Sequence, residues 1–495
     1  MDRVSKFHFK KHPMKKIIIK SYLVLTTLLI SSCSTDLDIN QDPDLLSPSQ
    51  IPMENELPAA ITGIGASAGS YFALIGGFWS QFWTQSAVAN QYKYLDDYTL
   101  NPSQSINEGG WASMYDALTD VRNVKANALA TENWKYYLIA TTLEVYASQI
   151  LVDYYGAIPY SEANNTAILK PVFDAPEVVY DKMALDLAEA LGKDLSTSPV
   201  AFTPGTTDFI FKGDMTKWTE FANTLMLKIH MRQSEVRPSV ASAGIIGLIG
   251  SGVNFLSSNA AIDVFVDENS RSNPLYESDR RQLNVATNLR ASTTMGTFLK
   301  SNIDPRLAKF YDGDTFQDQG YFDNPSGTSV SVVELSATSP VYFISLAESK
   351  FLQAEADLKY MGGTNAKALY EAAVTAAFEQ WGLGTDAAAM LTGAYSFPTG
   401  TDSDKLEAIM TQKWVASFPG NGYESFVEHN RTGFPKVSTV KQTDAGYKPG
   451  QITYSIEGKT GGLFPKRIEY PLTETIRNSN TPAVVKITEA VWYDK

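Results

Sequence analysis

The chain has 495 residues, a formal net charge of −13, one cysteine and four histidines. The acidic balance argues against nucleic acid and anionic membrane surfaces as partners. A lone cysteine excludes a disulfide framework and a thiolate metal site, and so few histidines leave no histidine-rich zinc site.

Residues 1–13 precede a complete signal peptide and are read as a start extension. Lys15, Lys16 and Lys20 form its cationic start, Tyr22 to Ile30 its apolar run, and Ser31-Ser32 lead to Cys33. The run is too short for a stable transmembrane helix, which needs roughly 20 apolar residues. Leu29-Ile30-Ser31-Ser32-Cys33 resembles the bacterial lipobox, which implies that residues 1–32 are removed and that Cys33 is lipidated. The leader carries seven Lys and Arg against one Asp, so the mature chain would hold −19. His230 and His429 remain, and His230 is expected to be structural. Residues 33–58, with Asp36, Asp38, Asp42 and Asp44 among prolines, read as the lipidated cysteine and a tether. Residues 59–495 show no composition break and are expected to form a single ligand-binding domain.

Helical periodicity dominates from there. Trp134, Tyr137, Leu138, Thr141, Val145 and Val152 share one face. Asp174-Ala175-Pro176-Glu177 reads as a capped helix start, with Glu177 reaching back. Trp218, Phe221, Ala222, Leu225 and Ile229 form a stripe after Asp214. Phe343, Leu346, Ala347, Phe351, Ala354 and Leu358 form another, ended by Gly362-Gly363, with Thr364 capping the next helix. The small residues Ala372, Ala373, Ala376 and Ala377 predict that Phe343–Tyr360 and Ala366–Trp381 form a tight antiparallel pair. Leu406, Ile409, Met410, Trp414 and Phe418 stripe a further helix. Strand-like material is expected in Ala201–Lys212 and Ala261–Val266. The fold class is mainly α, with tetratricopeptide-like helix pairs as scaffold, long irregular insertions and a few short strands.

The stretch Gly76–Tyr98 interleaves aromatic rings with side-chain amides. Flat rings match the apolar C–H faces of a sugar, and amides match its hydroxyls or a peptide backbone. Trp79, Trp83, Gln85, Asn90, Tyr92 and Tyr94 are therefore candidate ligand-binding residues, with Tyr276 as a second platform from a later loop. Helix core is the competing reading for Trp79, Phe82 and Trp83, which fall at i, i+3, i+4. Tyr92 and Tyr94 read as strand-like alternation. Asp96, Asp97, Asp153 and Glu144 could serve a hydrolase, but among 54 Asp and Glu a close pair is inevitable and carries no weight. No cofactor is expected. A structural calcium is compatible with an acidic, loop-rich chain, but no loop has its ligand spacing.

Several segments together resemble the SusD/RagB family of outer-membrane nutrient-binding lipoproteins of Bacteroidetes. They are Lys217 to Leu225 with Lys228 and Met231-Arg232, Asp304-Pro305-Arg306-Leu307, and Ser345 to Lys350 leading to Ala354-Glu355-Ala356. Gln412 to Ala416, Gly422 to Phe426, Arg431 to Pro435 and Phe464 to Pro471 complete the order. The resemblance implies a non-catalytic cell-surface protein that captures a nutrient, an oligosaccharide above all, and acts as the lid of a SusC-like TonB-dependent transporter. It also implies an outer-membrane location facing the cell exterior, and Ser34 to Asp38 is similar to the surface-export signal. A peptide-binding RagB-like protein and a secreted helical glycoside hydrolase are the alternatives, with a ligand-free scaffold behind them. Tyr423 and Arg431 fall in scaffold motifs and are expected to be structural, Arg431 in an internal ion pair.

Overall fold

The computed structural model describes residues 51–198, 207–283 and 287–494. The leader, Cys33 and the tether up to residue 50 lie outside the described residues, as does Ala201 to Thr206 of the first expected strand. From Pro52 onward the chain forms one compact unit.

Helix α1 (Met53–Ser67) runs through a π-helical turn (Ala68–Phe72) into α2 (Ala73–Trp79). The helix starts inside the segment expected to be tether, and Pro58 is accommodated within it. Strand β1 (Trp83–Gln85) follows, then a loop carrying one short helical turn (Lys93–Asp96). That turn replaces the strand expected around Tyr92 and Tyr94.

The long helices α3 (Ser105–Ala130) and α4 (Trp134–Tyr155) form an antiparallel pair, and α1 lies along α3. Nearly every side chain of α4 is buried, not one stripe, because α1, α3 and the later helices pack on it from several sides. In α5 (Pro176–Leu191) the expected cap is absent. Ala175 occupies the N-cap, Pro176 opens the helix, and Asp174 instead accepts from the backbone N–H groups of Tyr160 and Ser161.

Asp214 does cap α6 (Met215–Arg232), accepting from Thr216 and Lys217 N–H, and Trp218, Phe221, Ala222, Leu225 and Ile229 are all buried. Helix α7 (Pro238–Gly250) packs on α6. Gly244 leaves room for the His230 ring, since a Cβ there would sit 2.4 Å from it.

Strand β2 (Ala260–Ile262) is shorter than the expected Ala261–Val266. A second π-helical turn (Glu277–Arg281) precedes β3 (Leu289–Ala291) and α8 (Thr293–Ser301). β3 pairs antiparallel with β1, placing Ala291 opposite Trp83, and β2 pairs with β4 (Val341–Ile344). Phe343 therefore lies in a strand, and Ser345 caps α9 (Leu346–Tyr360) by accepting from Glu348 N–H. Helix α10 (Ala366–Glu379) packs closely along α9. Its N-cap is Asn365, tied by Asp357, and not Thr364. Helices α11 (Gly384–Thr392), α12 (Asp402–Ala416), α13 (Gly422–Thr432) and α14 (Leu472–Arg477) complete a mainly α fold with short strands and long connections.

Candidate ligand-binding site

Position sorts the aromatic residues. Trp83 is fully buried, sits edge-on to Phe78, Phe82 and Phe418, and lies against Gly77, where a Cβ would meet its ring at 2.0 Å. Trp79 is buried against Tyr154 and Phe426, and its indole N–H donates to the Leu95 carbonyl. Both rings are core, as their helical spacing allows, and neither presents a face to a ligand. Gln85 is also buried. Its side-chain oxygen accepts from the Tyr92 N–H at 2.6 Å, so it positions the loop from within. Asn90 is exposed but does not line the cavity described next. Tyr276 is half-buried with the Arg281 guanidinium 5.4 Å over its ring, and it too lies off that cavity.

Tyr92 and Tyr94 line a cavity of about 770 Å³, together with Tyr71, Phe265, Gln91 and Gln282. Three elements build it. The first π turn brings Ser70 and Tyr71. The loop after β1 brings Gln91, Tyr92 and Tyr94. The segment from Ile262 to Leu283, including the second π turn, brings Phe265, Arg271 and Glu277. A π turn displaces side chains from the ordinary helical register, and such turns recur at functional sites. Tyr71 stands over Gly109 of α3, where a Cβ would come within 2.7 Å of its ring.

The hydroxyls of Tyr71, Tyr92 and Tyr94 have no hydrogen-bond partner among the described residues. Burial lifts the Tyr94 phenol to about 12 and pushes Tyr92 higher still, so both remain neutral and can donate or accept. The two charged side chains of the lining are already paired. Glu277 lies 3.5 Å from Arg281 and accepts from Ser272, and Arg271 contacts Glu268 at 2.6 Å. What remains is a neutral, ring-lined cavity with hydroxyl and amide groups at its surface.

The loop is fixed by Asp96, which is 1% exposed. One carboxylate oxygen accepts from Thr84 Oγ1 (2.6 Å), Gln85 N–H (2.9 Å) and Gly320 N–H (3.1 Å), and the other accepts from Gln319 Nε2 (2.8 Å). Burial raises this carboxyl to about 6 against the lowering effect of those donors. Tyr71 and Phe265 are the residues that pattern reading missed. Tyr71 follows the small-residue run from Ala66 to Ser70, beside the buried Phe72, and that placement was the available signal.

The chain matches the SusD-like family model, described as starch-binding and associating with the outer membrane, over residues 66–456. No curated protein sequence matches it. Among solved structures it is similar to a chitin-binding SusD homolog from Flavobacterium johnsoniae, with a TM-score of 0.71 and 22% identity over 89% of this chain and 99% of that one. A SusD homolog from Bacteroides uniformis gives 0.68 and 22% over 89% and 99%. One from Bacteroides thetaiotaomicron gives 0.69 and 22% over 90% and 99%. At these identities the likeness establishes the fold.

Proposed function

The chain belongs to the SusD-like family, and on that premise we propose that it captures a neutral oligosaccharide at the outer membrane without turning it over. The carrying observation is the cavity of about 770 Å³, with Tyr71, Tyr92, Tyr94 and Phe265 in its lining and its charged side chains paired internally. Rings and free hydroxyls suit sugar faces and rims, while an ionic ligand would have to break existing pairs. The starch-binding description of the family and the chitin-binding relative favour the same chemistry. Lipidation at Cys33, exposure to the cell exterior and delivery to a SusC-like TonB-dependent transporter, with this protein as its lid, complete the proposed role.

Titration calorimetry of starch fragments, chitin fragments and unrelated peptides tests it, with chromatography of the mixture afterwards. Binding of an oligosaccharide without cleaved product is expected. Tyr94→Ala should weaken it about tenfold or more, equivalent to roughly 1.4 kcal/mol. Peptide binding with no sugar binding, or released product, would overturn the reading.

A further inference from the structure

A second cavity, of about 210 Å³, lies behind the wall that bounds the first. Ser70, Tyr71, Ser272 and Pro274 face the first cavity, whereas Ala68, Gly69, Asn273 and Leu275 line the second. Its other sides come from the segment 334–342 that leads into β4, from Gln380-Trp381 just past α10, and from the loop between α12 and α13.

Two half-buried rings, Tyr342 and Trp381, border it. Trp381 packs on Phe310 at 5.0 Å, and its indole N–H has no partner among the described residues. Asn421 donates its amide N–H to the Tyr342 carbonyl and the Tyr423 hydroxyl, both at 3.2 Å, and its side-chain oxygen is left over. The Gln380 amide is likewise uncommitted. Lys309 and Glu334 are exposed and of opposite sign, so the lining carries no net charge.

We propose that this cavity is a second binding site, distinct from the first, that takes a single neutral sugar ring. The space equals the share of about seven waters, too small for a chain of rings and suited to one. Aromatic faces beside an unpaired indole donor, an amide oxygen and a free amide provide the apolar and polar contacts that one ring needs.

Gly420 supplies the test. It lines the cavity, and a Cβ there would meet nothing within 4 Å. Gly420→Leu should therefore fill the space without disturbing the core. The probes are glucose, galactose and N-acetylglucosamine, added to full-length protein carrying ¹⁵N-labelled tryptophan, with the Trp381 indole signal as the reporter. At least one sugar should shift that signal saturably, with a midpoint on the order of 1 mM. The shift should persist in Tyr94→Ala, weaken in Gln380→Ala and vanish in Gly420→Leu, with near-ultraviolet circular dichroism showing each variant folded. Should Gly420→Leu not fold, the Gln380→Ala and Tyr94→Ala arms decide alone. No saturable shift with any of the three sugars would overturn the proposal. So would a shift that survives in folded Gly420→Leu, is unchanged in Gln380→Ala, or disappears in Tyr94→Ala.

Discussion

Asp96 illustrates how one buried side chain sets a site that it never touches. Its two oxygens hold four donors drawn from β1 and from Gln319-Gly320, and the loop carrying Tyr92 and Tyr94 hangs from that junction. Asp96→Asn places an N–H group where an acceptor is needed. At least one buried donor loses its partner, at a cost of about 1–3 kcal/mol. Chemical denaturation should show that loss, and calorimetry should show weaker ligand binding. The loss has a pH signature. The Asp96 carboxyl lies at about 6 against a reference of 3.8, so the folded protein holds its proton more tightly than the unfolded chain does. Its contribution to stability is thus largest below about pH 4 and declines as pH rises to 6. The gap between parent and Asp96→Asn should therefore narrow as pH rises over that window. A gap that widens with rising pH would contradict the assignment. Sequence showed the right neighbourhood here but not the division of labour. Tyr92 and Tyr94 reach the cavity while Trp79 and Trp83 fill the core, and periodicity alone leaves both uses open. Nothing local in the chain marks Asp96 over Asp97 as the buried one.

At the scale of elements, backbone contact between α2 and α13 positions the first π turn. A Cβ on Gly76 would sit 2.1 Å from the Tyr423 nitrogen, and one on Gly422 2.5 Å from the Gly77 nitrogen. Only glycine lets the helices cross so closely. Gly76→Ala must push them apart, which should cost at least the 1–3 kcal/mol typical of an overpacked core. A thermal melt would register that cost. An unchanged melting temperature would mean that the crossing relaxes freely. The helices themselves were legible, since Asp214, the α6 stripe and the α9–α10 pair follow from local pattern. Their crossings were not. Gly76-Gly77 and Asn421-Gly422 are far apart in sequence, and no period links them. Caps failed for a related reason. Asp174 and Thr364 have the right chemistry, but tertiary contacts claim Asp174 for Tyr160 and Ser161, and Asp357 ties Asn365 as the N-cap of α10.

Across the whole molecule, buried charge ties five helices of the scaffold to one another. Arg232 of α6 contacts Asp153 of α4 at 3.1 Å and Glu424 of α13 at 2.8 Å, and it also pairs with Glu428. Lys228 bridges Glu424 and Glu348 of α9, Lys413 of α12 meets Glu424 at 3.0 Å, and Arg431 holds Glu355 through two bonds of 2.7 and 2.8 Å. Five helices thus share one alternating set of charges, every member largely out of water. The surrounding cations hold Glu424, Glu428 and Glu355 below the ordinary carboxylate range in spite of burial. Their stabilisation is therefore present above about pH 4.5 and is lost only as pH falls through those depressed values. Such a network gives little net stability over an apolar core, but removing one member strands its partners. Arg232→Met should leave Asp153, Glu424 and Glu428 short of a cation and cost about 3–5 kcal/mol. Denaturant unfolding of the parent should be a single transition, because the charges bind these five helices into one cooperative unit. The variant should unfold at lower denaturant, while oligosaccharide affinity under native conditions changes less than tenfold, since no residue of the network lines the first cavity. A parent that already unfolds in two steps would show that this network does not bind the helices into one cooperative unit.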